Sequence, residues 1–429
     1  MNPQEIVDAC LALGADDVVC HVGTTTKKQI RFANSAITAS KLWDSVSASI
    51  LVAKDQRVVA TSLNDPSQLD ATLDQIFKLT RVLGPNEAYR GIAKGPFTYR
   101  AVPVDTTETV EEDVIAQVFS VADECRAAGV LYNISSSDEM ATSSGAAGTD
   151  EGSAIELSVR MFADDTSSGH AVSCSRTLED FDPEGACQRA RDIALMSRNA
   201  RMGSEGRTDV LFSPLCFANL LDHMSFQLSA FYVDSGLSFF KGKVGSTVGS
   251  DRVTLLDDGT RPDGLGSVRY DEEGTPARRT TVIKEGVLQT YLHNTSTAQA
   301  YGTQTTANAG LVAPHPTNIV LEPGDSTLDE MLAEMGSGLY VTNTWYTRYQ
   351  NYATGDFSTI PRDGIFRVKQ GELAEPVREI RISDNMLRML ASVAAVGRET
   401  EQIHWWETEV PTFTPPVLVK DVTITRSTG

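Results

Sequence analysis

The stretch V-S-A-S-I-L-V-A-K-D-Q-R-V-V-A-T, residues 46–61, carries the clearest folding signal in the chain. Apolar side chains stand at every second position of its first half, at Val46, Ala48, Ile50 and Val52. That two-residue period is typical of a β-strand with one buried face. The polar residues 54–57 supply a turn before the next apolar run. The sequence therefore predicts an antiparallel hairpin, and a similar pattern predicts another strand over residues 17–31.

Helices are predicted on both sides of this hairpin. Asn2, Pro3 and Glu5 are the residue types of a helix start, and a further helix is expected to begin at Asp65-Pro66. The next predicted elements are a helix from Thr109 to Gly129, strands near 130–138, 153–163 and 169–178, and a helix from Asp182 to about Arg201.

The glycine-containing segment 203–206 is the best predicted domain boundary. Before it, residues 1–202 are expected to form an N-terminal α+β region of two small units, about 1–95 and 105–202. Beyond it, residues 207–429 are rich in Thr, Val, Tyr and Gly with frequent turns, which is typical of antiparallel β structure. Helical patterns are sparse there, near 213–230, 326–335 and 385–396. The expected class is α+β, an α/β-layered N-terminal region followed by a larger β-dominated domain.

Composition narrows the classes of function. The chain has 429 residues with 37 Lys and Arg against 57 Asp and Glu, a net charge of −20. This charge disfavours a nucleic-acid partner, because phosphate binding needs concentrated cations. The six cysteines are scattered without a C-x-x-C pair, which indicates a reducing compartment. With no signal-peptide pattern or membrane-length apolar run, we expect a cytoplasmic protein without membrane contact.

Local catalytic motifs are absent from the sequence. No phosphate loop, G-x-G-x-x-G, G-x-S-x-G or H-E-x-x-H pattern occurs. Asp222-His223, in an apolar helical segment, fits either a base or metal ligand or a hydrogen-bonded histidine at an interface. His404, beside Trp405 and Trp406, has the same two interpretations.

Residues 343–352, N-T-W-Y-T-R-Y-Q-N-Y, combine aromatic and amide side chains with one arginine. This density is typical of a recognition surface, and a half-buried strand explains the same letters equally well.

A succession of short motifs in the second half resembles the TldD/PmbA family. In order, the motifs are K-G-K-V-G at 241–245, D-D-G-T at 257–260, G-S-V-R-Y-D-E-E-G-T-P at 266–276, I-K-E-G-V-L at 283–288, L-H-N-T at 292–295, T-A-N-A at 306–309, A-T-G-D-F at 353–357, G-E at 371–372 and P-V at 376–377. The N-terminal half agrees more loosely, through A-L-G-A-D at 12–16 and the strands after it.

The resemblance implies a cytoplasmic protease assembly in which a TldD-like subunit carries zinc and a PmbA-like subunit, also called TldE, does not. In the zinc-bearing subunit an H-E-x-x-x-H helix supplies two ligands and a Glu base, and a later Cys supplies the third ligand. Counted back from Gly242, the histidine positions fall on Leu221 and Phe226 and the acid on Asp222. Leu and Phe have no donor atoms, and no cysteine follows Cys216.

The sequence therefore predicts a non-catalytic, PmbA-like subunit that binds no metal and carries no catalytic residue of its own. Its expected partners are a TldD-like, zinc-bearing chain in a heterodimer and an unfolded peptide or small peptide precursor held as an extended strand. The expected contact residues for the partner or the peptide are Trp345, Tyr346, Arg348, Tyr349, Tyr352, Trp405 and Trp406.

Two other functions stay open at this stage. One is a self-sufficient hydrolase or metal protein that uses Asp222, His223 and His404. The other is a regulatory binding protein without a protease role, in line with an older family name that refers to DNA gyrase.

Overall fold

The computed structural model describes residues 1–103 and 111–426. In the N-terminal region the elements, in chain order, are α1 (Pro3–Ala12), β1 (Asp17–Ala33), β2 (Ala36–Lys54), β3 (Arg57–Leu63), a 3₁₀ turn (Pro66–Gln68), α2 (Leu69–Val82), α3 (Glu111–Ala122), β4 (Arg126–Thr142), β5 (Ala147–Phe162), β6 (Ser168–Ser175), α4 (Pro183–Met196) and β7 (Arg201–Met202).

The remaining elements belong to the C-terminal region. They are β8 (Gly206–Phe212), α5 (Pro214–Ser225), a 3₁₀ turn (Phe226–Leu228), α6 (Ala230–Asp234), β9 (Leu255–Asp258), β10 (Arg279–Lys284), β11 (Val287–Leu288), α7 (Thr295–Tyr301), β12 (Ile319–Leu321), α8 (Leu328–Met335), β13 (Ser337–Asn351), β14 (Asp356–Lys369), β15 (Glu372–Arg378), β16 (Ile380–Asn385), α9 (Met386–Ala391), β17 (Val393–Val396), β18 (Glu401–Trp405), β19 (Thr408–Thr414) and β20 (Val417–Arg426).

The first six strands form one antiparallel sheet in the order β3-β2-β1-β4-β5-β6. Two hydrophobic cores lie on it. One joins α1 and α2 to β1–β3 through residues such as Ile6, Ile50 and Ile76, and the other joins α3 and α4 to β4–β6 through residues such as Val118 and Val159. The two small units that the sequence predicts, about 1–95 and 105–202, thus contribute strands to one common sheet, and each unit has its own hydrophobic core. The division of the chain into domains stays a prediction.

Two further sheets make up the C-terminal region. One has the order β11-β10-β9-β12-β19-β18, and in the other β13, β8, β20, β16 and β14 pair in turn, with β14 pairing back to β13. The helix α5 contacts β13 and β19 and contributes Phe217, Leu221 and Met224 to the largest core of the molecule. The α+β class with predominantly antiparallel sheets is as predicted.

Several predicted boundaries were wrong. The helix expected to end at Gly129 ends at Ala122, and Gly129 lies inside β4. A Cβ at Gly129 would sit 2.2 Å from the Ser158 carbonyl oxygen, so this glycine permits close strand packing rather than ending a helix. Residues 385–396 form α9 and β17 instead of one helix, and α7 was not predicted. The predicted start at Thr109 lies outside the described residues.

Candidate functional site

The site is built on the C-terminal end of α5. Ser213 accepts a hydrogen bond from the Cys216 amide at 3.2 Å, and Pro214 occupies the first turn, which together fix where the helix begins. Leu221 and Met224 are buried in the core beside the helix. Packing on that side orients Asp222, His223 and Phe226 toward a cleft on the other side of α5.

This cleft, the Asp222 cleft, has a volume of ≈ 700 Å³. It lies between the end of α5, the second half of β13 and the connection from β18 to β19. Its walls are formed by Asp222, His223, Phe226, Gln227, Tyr232, Leu237, Thr347, Arg348, Tyr349, Tyr352, Trp406, Glu407 and Glu409.

Asp222 and His223 have perturbed acid–base properties. Burial raises the pKa of Asp222 to about 7, against the opposing effect of the Val410 amide, which donates to its Oδ1 at 2.7 Å. Burial, with the nearby Arg348 guanidinium, lowers the pKa of His223 below its usual range, so the imidazole is neutral at pH 7. Its Nδ1 lies 3.0 Å from the Asn219 carbonyl oxygen and 3.6 Å from Asp222 Oδ2.

A network of polar side chains holds the wall opposite α5. Asn219 donates to the Glu407 carbonyl oxygen at 2.7 Å and accepts a short hydrogen bond from Thr347. The Glu407 carboxylate lies 3.2 Å from the Tyr346 amide, with both oxygens in reach. Tyr346 has a φ of 57°, an uncommon backbone conformation for a bulky residue. The network therefore holds Tyr346, at the rim of the cleft, in a strained backbone conformation.

The residues at the positions where the sequence resemblance places zinc ligands do not fit zinc. Leu221 is 1% exposed and packs in the core, while Phe226 presents only carbon atoms to the cleft. Asp222 alone has ligand atoms, and zinc sites take three or four protein ligands. Within residues 1–103 and 111–426, no three or more His, Cys, Asp or Glu side chains cluster as a metal site would need.

The seven predicted contact residues separate into three groups. Arg348, Tyr349, Tyr352 and Trp406 line the cleft. Trp345 and Trp405 pack against each other with ring centroids 5.7 Å apart, and Trp405 is buried. Tyr346 is 45% exposed beside Trp406. β13 is thus a half-buried strand whose later residues line the cleft, and its role as a recognition surface stays a prediction.

Sequence reasoning missed Tyr232, Leu237, Glu407 and Glu409 as cleft residues. They come from separate segments whose residue types form no motif. Tyr232 and Leu237 reach the cleft because the chain turns back after α5 through α6, and Glu407 and Glu409 reach it because β19 packs against α5, so no signal in the sequence pointed to them.

The comparisons with known proteins agree with this fold. The profile of the PmbA/TldA metallopeptidase C-terminal domain matches residues 205–426. The chain belongs to the PmbA/TldD family.

Curated relatives include a metalloprotease of Methanothermobacter thermautotrophicus, 31% identical over 58% of this chain and 59% of its own length. The metalloprotease TldD homolog of Haemophilus influenzae is 28% identical over 38% of this chain and 35% of its own. The matched segments thus span about a third to three-fifths of these relatives.

A solved structure with the same fold is TldE from Thermococcus kodakarensis, with a TM-score of 0.86 at 19% identity, covering 98% of this chain and 99% of that one. A Thermotoga maritima protein described as a proposed modulator of a DNA gyrase has a TM-score of 0.87 at 24% identity, covering 98% and 100%. At these identities the likeness concerns the fold alone.

Proposed function

We propose that this chain is the non-catalytic subunit of a zinc metalloprotease, and that it pairs with a TldD-like, zinc-bearing subunit to act on unfolded peptides or small peptide precursors. The observation that carries the proposal is the Asp222 cleft. It lies at the end of α5, the helix that the resemblance matches to the zinc-binding helix, but the two histidine positions are occupied by Leu221 and Phe226. A cleft in which both histidine-ligand positions carry hydrocarbon side chains fits binding better than metal chemistry.

An exposed strand edge supports the pairing with a second chain. Residues 36–47 of β2 pair with β1 on one side, and β3 pairs only with the later part of β2. Within the described chain no strand pairs with the other side of this segment. We call this side the exposed edge of β2. Apolar side chains are exposed there: Ile37 by 50%, Leu42 by 62%, Trp43 by 42% and Val46 by 39%. We propose that the metal-bearing subunit covers this edge, because such edges otherwise promote aggregation.

The proposed setting is the cytoplasm. All six cysteines are free and buried, which suits a reducing compartment. No helix among the described residues has the length and hydrophobicity needed to cross a bilayer.

Reconstitution tests the proposal. This chain and a zinc-loaded TldD-like subunit, alone and mixed, are incubated with an unstructured fluorogenic peptide. We expect cleavage to rise at least tenfold on mixing. Cleavage by this chain alone, abolished by His223→Ala, would instead support the autonomous hydrolase, for which the 3.6 Å approach of Asp222 and His223 is the specific observation.

A further inference from the structure

A second pocket, of ≈ 500 Å³, adjoins the Asp222 cleft. It opens on the face of the first sheet that is turned away from α3 and α4, where β1, β4 and β5 meet the connection from β18 to β19. Trp406 and Glu409 line both cavities, which places the second pocket directly beside the cleft. We call it the basic pocket for Lys27 and Arg31 in its wall.

Lys27 and Arg31 have no ion-pair partner within the described part of the chain. The Lys27 ammonium lies 4.0 Å from the centroid of the Tyr132 ring, a cation–π contact that positions it without neutralising it. Such unpaired cations stand out in a chain of net charge −20. They favour an anionic ligand.

The acidic side chains in the pocket do not cancel this charge. Glu156 Oε1 lies 3.0 Å from His404 Nδ1. Burial lowers the pKa of His404, while the Glu156 carboxylate, the Glu409 backbone and Asp222 raise it, and the net direction is upward, which favours an ion pair with Glu156. Glu409 stands at the junction with the Asp222 cleft. With Glu156 engaged by His404, Glu409 is the carboxylate of this lining that remains to oppose Lys27 and Arg31.

Ser158 contributes a hydroxyl donor whose direction follows from its neighbours. Asn343 accepts from the Thr344 amide at 2.8 Å through Oδ1, so its Nδ2 donates to His170 Nδ1 at 2.9 Å. His170 is neutral because burial lowers its pKa to about 4. Its proton is therefore on Nε2, which donates to Ser158 Oγ at 2.9 Å. The arrangement leaves the serine proton free to donate, and it excludes His170 as a base for this serine.

The Tyr132 hydroxyl is also a hydrogen-bond donor toward the pocket. Its hydroxyl oxygen accepts from Gln29 Nε2 at 2.6 Å, so its own proton is free. The basic pocket thus offers an ammonium, a guanidinium and two hydroxyl donors. This combination suits a carboxylate, which accepts hydrogen bonds through two oxygens.

We propose that the basic pocket binds a carboxylate of a peptide whose chain lies in the Asp222 cleft. The carboxylate is either the C-terminal group or the side chain of an Asp or Glu residue. This inference rests on the proposed function only for the peptide nature of the ligand.

The test is equilibrium binding of labelled peptides to the full chain, measured by fluorescence anisotropy at low salt. Three hexapeptides of alanine and serine are compared: one with a free C-terminus, its C-terminal amide, and the amide with one internal Glu. We expect the free acid, the Glu peptide or both to bind about tenfold more tightly than the plain amide. Tight binding of only one of the two identifies the source of the carboxylate.

Variants assign the preference to the pocket. Lys27→Gln/Arg31→Gln is expected to bring the acid and the amide within twofold of each other. The matched control, Arg81→Gln/Lys284→Gln, removes two exposed charges elsewhere and is expected to keep the preference.

Three results would overturn the proposal. Equal binding of all three peptides by the unaltered chain would remove the pocket's role and leave peptide binding by the cleft intact. An equal loss of preference in the control variant would assign the effect to net charge. No binding of any peptide would overturn both this proposal and peptide binding by this subunit.

Discussion

His21 links the N-terminal sheet to the C-terminal region through both of its ring nitrogens. Nδ1 lies 2.8 Å from Asp138 Oδ2, and Nε2 lies 3.0 Å from the Glu272 carbonyl oxygen. Both partners accept hydrogen bonds, so both nitrogens carry protons and the imidazole is a cation. Burial lowers the pKa of His21, the Asp138 carboxylate and the Glu272 residue raise it, and the net direction is upward.

We expect His21→Ala to destabilise the protein more at pH 5.5 than at pH 9. A raised pKa in the folded state stabilises the fold fully below about pH 6.5, and that stabilisation is lost as the pH rises through the folded-state pKa. The difference between the two pH values should be about 1–2 kcal/mol in the free energy of unfolding. Urea unfolding at both pH values measures it, with His315→Ala, at an exposed histidine, as the control. An equal loss at both pH values would contradict the cationic assignment.

The pKa of Asp222 is also raised in the folded protein, but here burial favours the neutral form of the side chain, whereas in His21 the charged form is favoured. The folded-state pKa of Asp222, about 7, lies above the value of about 3.9 expected in the unfolded chain, so the folded protein binds the extra proton. This residue's contribution to stability therefore falls as the pH rises from about 4 to 7 and is constant above that. Asp222→Asn keeps the oxygen that accepts from Val410 and removes the buried charge.

We expect Asp222→Asn to be more stable than the unaltered chain at pH 8, by roughly 2 kcal/mol, and to show little gain at pH 4.5. Urea unfolding of both proteins across this range gives the comparison. A variant that is less stable at pH 8 would mean that the ionised carboxylate has a stabilising partner.

At the scale of elements, the exposed edge of β2 leads to a prediction about assembly. Leu42→Lys/Trp43→Lys should weaken binding to a TldD-like subunit at least tenfold while the chain stays folded, because charged side chains on an edge oppose strand addition. Analytical ultracentrifugation of the mixed subunits measures the affinity, and circular dichroism checks the fold. Val82→Lys, at a 76% exposed residue of α2, is the control and should assemble normally. Unchanged affinity in the double variant would place the interface elsewhere.

Local patterns predicted elements well where one face is buried. The hairpin at residues 46–61 formed as β2 and β3 because its two-residue period is set by the sequence. The first part of β2, residues 36–45, is mostly exposed and has no such period, so its strand character was missed. Gly129 misled for a tertiary reason: its small size serves packing against Ser158 of another strand.

At the scale of the whole molecule, zinc content tests the loss of the metal site. After zinc loading and thorough desalting, we expect far less than one zinc per chain by elemental mass spectrometry, because Leu221 and Phe226 have no ligand atoms. A TldD-like relative treated in parallel is the positive control. Near-stoichiometric zinc in this chain would require a different ligand set, with His223 and His404 the first residues to substitute.

The sequence by itself determined the α+β class, the family resemblance and the absence of donor atoms at residues 221 and 226, since these depend on local period and residue identity. Only the tertiary structure decided what surrounds those positions. Glu409 lines the same cleft as Asp222, and Lys27 lines the same pocket as Trp406, because the fold brings together segments that are far apart in the chain. The charge of His21 and the pKa of Asp222 were likewise decided there, because burial and distant partners act through space and leave no pattern along the chain.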